Sequence, residues 1–555
     1  MELSTSEKPV GSIPRSAWAI IIAFLALSVV LGVLSEGCYH DDDLTHYMMA
    51  RWVWWYPSYL LHIWGRPGFT APMSLVCGIG DRFFAWHLAR VLSAVVTACG
   101  AILAVRLGRR LGVGPPWLIA LLCYVQPLAM VLSYTTLTEN WTAFYLIGAA
   151  SLLLAGRARM ASLVFSLALV SRHEAVIFIP IWWLAILTQG SSTRTKITAA
   201  LLSLWAPLAH NLLFFGVFQE WPARIYFQPH GSTEYLPSGP LSYMPAALYA
   251  MTPLILGSAL AGAFAIFRRD RWIVAAIPFL FLLVHLWIKW QGIFASGGYG
   301  RFMVAVAPFI AILATRGLSE IIQSPRGARP WICLLVVIVA TWYALEHDGF
   351  KGPIDVSSVV SLKTARAGIG LLTLISLLAV LGAKISRLRP ATKLATGIFS
   401  LVTLAQWGLT VHPLRLQPEH EQAVVVADWL RNVAGESPVF TTNAWLVFEL
   451  GLVENPRAHK DVSLLASMPA GTYVVWDSRY SPSDFHQLTQ QALYGPLGCV
   501  PLHSFFDKAH PHAIRFEAFR KLSPPMDWKT ETGTYPRDLA AERKAIRGVF
   551  YAREQ

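Results

Sequence analysis

The chain has 555 residues, of which 55% are hydrophobic and only 14% charged, against about 25% charged in an average soluble protein. That balance excludes an ordinary water-soluble domain and reads as a polytopic α-helical membrane protein. The net charge of +13 does not point to nucleic acid, because Arg and Lys lie in short clusters between apolar segments rather than in one basic domain.

A membrane crossing needs roughly 20 apolar residues. Such segments fall near 16–35, 84–105, 117–135, 141–156, 161–171, 174–188, 197–217, 246–267, 272–290, 302–317, 331–346, 367–383 and 394–411, about thirteen crossings if the short pair at 161–188 counts as two. The first apolar segment is too long for a signal-peptide core and lacks a cleavage site, so it reads as an uncleaved span. Basic residues then set orientation. Lys8 and Arg15, Arg106 with Arg109 and Arg110, Arg157 and Arg159, Arg194 and Lys196, Arg268 with Arg269 and Arg271, Arg316 with Arg326 and Arg329, and Lys384 through Lys393 all alternate onto one side. By the positive-inside rule that side is cytoplasmic, in a plasma or inner membrane. The loop at 36–83, the turn at Thr138-Glu139, the tip at Arg172-Glu174, the loop at 218–245, the turn at 291–301 and everything after 412 then face outward.

The first outer loop opens with His40-Asp41-Asp42-Asp43. Charge near hydrocarbon is costly and tends to be functional. The alternative is that Asp43 only caps a helix starting at Leu44 while its neighbours are solvated. Leu44–Tyr56 reads as a helix stopped by Pro57, and Tyr59–Trp64 as a short turn ended by Gly65-Arg66-Pro67. Trp52, Trp54, Trp55, Tyr56, Tyr59 and Trp64 suit the headgroup zone, which predicts helices lying on the membrane surface.

Further along, Glu139 begins a helix with Thr138 as its expected cap. Arg172-His173-Glu174 interrupts an apolar run, so two half-length segments meet at a charged tip; a polar cavity there, or a self-neutralising Arg-Glu pair, would each explain it. In Gly297–Phe302 (GGYGRF), Tyr299 and Arg301 stand at the outer mouth of the next span, where Arg301 could equally anchor to lipid phosphates. The loop 218–245, with Arg224, His230 and Glu234, is rich in Pro, Gly and Tyr and reads as a lid or an irregular connector. The chain thus divides into a membrane domain, 1–411, and a C-terminal domain, 412–555. The latter has helical spacing at Gln422–Val433, strands at Pro438–Thr441, Thr472–Trp476 and His512–Phe519, and a helix at Asp484–Leu493. It reads as a small α/β domain with a polar end from Pro525 and no nucleophile motif or phosphate loop. Six cysteines, Cys38, Cys77, Cys99, Cys123, Cys333 and Cys499, show no CxxC spacing, which indicates neither a disulfide framework nor a metal site.

Taken together, Asp41-Asp42-Asp43, Trp64-Gly65-Arg66-Pro67, Thr138-Glu139, Ser171-Arg172-His173-Glu174 and Tyr299-Gly300-Arg301-Phe302 before Ala307-Pro308-Phe309 resemble the GT-C superfamily of membrane glycosyltransferases that use polyprenyl-phosphate sugars. The plan is similar to the branch of protein O-mannosyltransferases and the lipid A aminoarabinose transferase. The match covers the membrane region well and the tail in outline. Many members carry two adjacent acids where this chain has three, which leaves the catalytic Asp open; Asp42 is favoured, with Asp43 at the helix start.

The resemblance implies an inverting transfer of a sugar to a lipid, glycan or protein acceptor outside the membrane. One Asp would act as general base, made more basic by its crowded neighbours. Arg66, Arg172 and Arg301, together with Glu139, Glu174 and Tyr299, would form the phosphate-binding part of the site. The resemblance names no cofactor and leaves divalent-cation use open, since acids in this position could bind a cation as readily as they accept a proton. A transporter or flippase of a lipid-linked or polar substrate is the alternative from another class, but it should show two related halves, and no internal repeat is present. A polysaccharide polymerase or ligase would not need the acidic cluster.

Overall fold

The computed structural model describes residues 12–222, 237–267, 271–292, 298–323, 389–408, 411–452, 462–482, 488–506 and 514–524, with a few helical residues between 335 and 378. The predicted spans at 331–346 and 367–383 and the residues Arg224, His230 and Glu234 lie outside this set, as does the end from Pro525. The chain forms two compact units. One comprises Met1–Val33, Arg66–Phe69 and Arg90–Pro413, the other Leu34–Gly65, Thr70–Ala89 and Leu414–Gln555.

The first unit is helical, and the chain is an integral membrane protein. Arg15–Leu34, Arg82–Arg110, Ile273–Gln291 and the continuous segment Gly300–Ile321 are long and apolar enough to cross a membrane; three bent pairs raise the number to seven among the described residues if each pair is one span. The expected straight crossings at 117–135, 197–217 and 246–267 are these bent pairs. Pro116–Tyr124 and Pro127–Ser133 meet at 73°, Thr193–Leu202 and Trp205–Phe218 at 41°, and Met244–Met251 and Pro253–Ile266 at 95°. Two of the breaks have a direct cause. Proline lacks the N–H for a helical bond and pushes the residue before it out of helical geometry, at Pro127 and again at Pro253. A broken helix inside apolar surroundings must pair the groups it frees. Gln126 does so by donating from Nε2 to the carbonyls of Leu122 (2.8 Å) and Ala307 (3.0 Å). Thr252, at φ +64, accepts from the N–H of Ile255 through its hydroxyl.

The half-length segments around the Arg172 tip are present as Ala158–Leu169 and Ile179–Leu187, joined by the 3₁₀ turn His173–Phe178. Their inner faces are pinned by Phe165 and Trp182, stacked at 4.4 Å, and by a bond from Trp182 Nε1 to Ser162.

In the second unit, the first-loop helix runs from Asp41 to Trp52, not from Leu44. The expected cap was Asp43, but the N-cap is His40, whose Nδ1 accepts from the N–H of Asp42. All three aspartates therefore occupy the first turn, where the helix dipole favours negative charge. The 3₁₀ turn Pro57–Leu61 follows, earlier than the turn expected at Tyr59–Trp64. Tyr47, Trp86, Trp445 and Phe448 form an aromatic cluster between the loop and the tail. Two further bonds fix the same packing, from Arg82 Nη2 to the carbonyl of Glu449 (2.6 Å) and from the N–H of Leu414 to Ser35 (2.8 Å).

The tail carries the helix Pro418–Val433 and a four-stranded sheet of β1 (Val439–Thr441), β2 (Tyr473–Asp477), β3 (Cys499–Phe505) and β4 (Phe516–Lys521) in the order β1-β2-β4-β3. β1 pairs parallel with β2, and the other pairings are antiparallel. Phe440, Val474, Leu465, Leu493 and Phe519 fill its core. β1 and β2 fall within a residue of the strands expected at Pro438–Thr441 and Thr472–Trp476, whereas the strand expected at His512–Phe519 lies later, as β4. β3 was not foreseen, because Pro501 argues against a strand; it is tolerated at the sheet edge, beside a bulge between Pro501 and His503. The helix expected at Asp484–Leu493 begins later, at Gln490–Tyr494, with Thr489 extended as its N-cap; 483–487 lie outside the described residues.

Candidate functional site

The predicted site residues fall into two clusters, one in each unit. In the first unit Glu139 and Arg172, both 1% exposed at the side chain, form a buried ion pair of 2.5 Å between Oε1 and Nη1. Arg172 also donates from Nη2 to Glu174 (2.8 Å), and its guanidinium lies 4.4 Å from the centre of the Phe302 ring. Arg301 brings Nε to 3.6 Å from the same Glu139 oxygen and lies over Tyr299 at 5.0 Å. The reading of Arg172 and Glu174 as a self-contained pair is thus incomplete, because Glu139 shares the arginine.

Arg66 joins this cluster by donating from Nη1 to the hydroxyl of Thr138 (2.6 Å). That bond corrects the expectation for Thr138. It does precede the helix Glu139–Leu153, but it makes no side-chain cap because its hydroxyl serves Arg66. Arg66 itself sits at φ +59, a left-handed conformation that costs a non-glycine residue about 1–2 kcal/mol and that clusters at functional sites. The next turn is held by Gly68, whose N–H donates to Val170 (3.1 Å) and whose carbonyl accepts from Tyr145 (3.0 Å). A side chain at Gly68 would strike Ser171 and the carbonyl of Leu167, so only glycine lets Arg66 approach this closely.

Three guanidinium groups gathered in a buried site are an arrangement suited to an anion that presents oxygens to them. His285 and Tyr243, which no sequence motif marks, form one wall. The His285 ring lies 5.2 Å from Phe302 and 5.3 Å from Tyr243, and the Tyr243 hydroxyl donates to the carbonyl of Tyr299 (3.2 Å). His285 looks like part of an apolar run and Tyr243 like one more tyrosine of the Pro- and Gly-rich loop, so neither stands out in the sequence.

In the second unit the aspartates have different environments. Asp43 is buried and accepts from the N–H of Tyr39 (3.3 Å). Asp42 is buried beside His40, whose Nδ1 lies 3.3 Å from Oδ2. Asp41 is the most accessible, 22% exposed at the side chain. His420 Nε2 reaches its Oδ1 at 3.2 Å, and the Tyr480 hydroxyl donates to its Oδ2. Burial works to raise the Asp41 pKa, yet the hydrogen bond and charge of His420, with His40 and Arg479, hold it below the ordinary carboxylate value. The expected gain in basicity from crowding therefore does not hold for Asp41, because the tail supplies donors that favour its charged form. His420 and Tyr480 were overlooked, since neither belongs to a motif and the tail shows no catalytic pattern. His46, on the same helix as the aspartates, stacks on Trp64 at 5.4 Å.

No family model and no curated protein matches the chain. Among solved structures, it is similar to ArnT from Cupriavidus metallidurans in the apo state, with a TM-score of 0.58 and 14% identity over 91% of this chain and 98% of that one. The same protein bound to undecaprenyl phosphate matches with a TM-score of 0.56 and 13% identity over the same shares. The chain therefore shares the fold of ArnT.

Proposed function

We propose that the chain is an inverting membrane glycosyltransferase that moves a sugar from a polyprenyl-phosphate carrier to a lipid, glycan or protein acceptor on the extracytoplasmic side. The observation that carries this reading is the buried set of Arg66, Arg172 and Arg301 around Glu139, in a fold whose solved relative binds undecaprenyl phosphate. The arginines would neutralise the departing phosphate through charge-assisted hydrogen bonds. Glu139 and Glu174 fix the orientation of Arg172, and Tyr299 supports Arg301. The chain would cross the membrane about thirteen times, with its N-terminus in the cytoplasm and its tail outside.

Asp42 is the proposed general base. Asp42 is buried in the first turn of the loop helix with its Oδ2 3.3 Å from His40 Nδ1, a neighbour that would share the proton taken from the acceptor. The acceptor oxygen attacks the anomeric carbon opposite the phosphate and its proton passes to Asp42. The bond from the anomeric carbon to the phosphate oxygen breaks, and polyprenyl phosphate leaves with that electron pair.

The three bent helix pairs favour one other reading, because broken helices also build the binding sites of transporters. A single experiment separates them. Membranes containing the chain are supplied with radiolabelled sugars on polyprenyl phosphate. Transfer is expected in the wild type, falling at least ~100-fold in Asp42→Asn and less in Asp41→Asn and Asp43→Asn. Wild-type transfer in all three variants removes the base assignment. If no donor supports transfer but proteoliposomes move the labelled lipid between leaflets, the chain is a transporter.

A further inference from the structure

At the start of the first-loop helix, within the second unit, three potential metal ligands converge. One ligand atom each from Cys38, Asp41 and His420 lies within 4.8 Å of the other two. Cys38 and His420 are 2% and 3% exposed, so this is not a chance meeting of surface groups.

The histidine is held in one orientation. Its ring stacks on Trp445 with centroids 4.3 Å apart and planes at 14°, and Nε2 faces Asp41 Oδ1 at 3.2 Å. The other carboxylate oxygen of Asp41 accepts from the Tyr480 hydroxyl, which fixes the direction of the remaining lone pairs. Glu419 offers a further carboxylate, with Oε1 3.7 Å from His420 Nε2 and its second oxygen paired to Arg479 at 2.8 Å.

Thiolate, imidazole and carboxylate together form a donor set for a borderline-soft divalent ion, zinc before magnesium or calcium. Zinc bonds of about 2.0–2.3 Å set tetrahedral ligand atoms roughly 3.3–3.8 Å apart, so His420 and Asp41, at 3.2 Å, already have the spacing and Cys38 needs to draw in by at most ~1 Å. We propose that Cys38, Asp41 and His420 form a zinc site that clasps the first loop to the C-terminal domain. On binding, Cys38 loses its thiol proton to solvent, His420 ligates as the neutral imidazole and Asp41 as carboxylate. The fourth position is left to water or to Glu419. This site is independent of the transfer reaction, and its test reads metal directly.

The full-length protein, purified in detergent and dialysed against metal-free buffer, is expected to retain about one zinc per chain by plasma mass spectrometry. After chelation and addition of cobalt(II), a thiolate-to-cobalt charge-transfer band should appear. Cys38→Ser should abolish that band and His420→Asn should weaken and shift it, whereas Cys499→Ser, in the sheet, should leave it unchanged. Chelation should lower the unfolding temperature of the wild type but not of Cys38→Ser. If Cys38→Ser does not fold, cobalt titration of the wild type decides alone. Wild-type protein with only trace zinc and no cobalt-thiolate band overturns the proposal and leaves His420, Asp41 and Tyr480 as a metal-free hydrogen-bonded clasp.

Discussion

Glu139 is the residue on which the first cluster depends, because two buried arginines share one of its oxygens. Removing one partner of a buried pair leaves an uncompensated charge, which costs about 3–5 kcal/mol. Glu139→Leu should therefore lower the unfolding midpoint in detergent sharply. Glu174→Gln should lower it far less, since the Glu174 side chain is 20% exposed and water can solvate what the glutamine leaves unpaired. Equal effects would mean that Arg172 and Arg301 do not rely on Glu139. The identity of these residues was legible in the sequence because each is a charge set in apolar surroundings. Their partnership was not, since it joins positions far apart in the chain. The tail residues around Asp41 were illegible for a different reason: His420 and Tyr480 belong to a domain where polar side chains are ordinary, so nothing local distinguishes them.

At the scale of elements, the tightest constraint is the crossing of Pro253–Ile266 with Ala307–Gln323. A methyl group on Gly262 would run into the carbonyl oxygen of Leu313, and one on Gly317 into that of Ser258. Small residues let membrane helices approach to backbone contact, and a backbone carbonyl cannot move aside as a side chain can. Gly262→Ala and Gly317→Ala should each cost ~1–3 kcal/mol or more by overpacking, seen as aggregated protein in gel filtration. Gly216→Ala, with open space around the glycine, should gain up to about 1 kcal/mol from helix propensity. Apolar length alone predicted where helices would lie; the bends at Gln126 and Thr252 escaped it because they depend on which partners are present to pair the freed backbone groups.

The tail sheet gives a pH-dependent case. Burial pushes the Asp477 pKa up to about 6, although the N–H of Arg479 and the hydroxyls of Thr442 and Ser481 act in the opposite direction. The folded form thus holds a proton that the unfolded chain releases near pH 3.8. This contribution is fully present below that pH and is lost as pH rises through 6, up to about 3 kcal/mol in all. Asp477→Asn keeps an oxygen for the backbone donors and removes the titration. Between pH 4 and 7 the wild type should lose stability relative to this variant, and parallel curves would show that Asp477 titrates normally.

For the whole chain, exposed apolar surface and basic loops argue together. Leu201, Trp205, Leu208 and Leu212 are between 55% and 66% exposed along one bent helix pair, a surface that water would penalise and lipid tails cover. Which end of such helices faces the cytoplasm is then fixed by Arg and Lys in the short loops. In the proposed orientation the loop at Gly190, next to Arg194 and Lys196, is cytoplasmic, while the edge strand at Ser504 lies outside. A membrane-impermeant maleimide applied to right-side-out vesicles should therefore label Ser504→Cys above the parent chain at once, and Gly190→Cys only after permeabilisation. The reverse pattern would put the tail in the cytoplasm, away from any extracytoplasmic acceptor, and the transferase assignment would then have to be rebuilt around a cytoplasmic one.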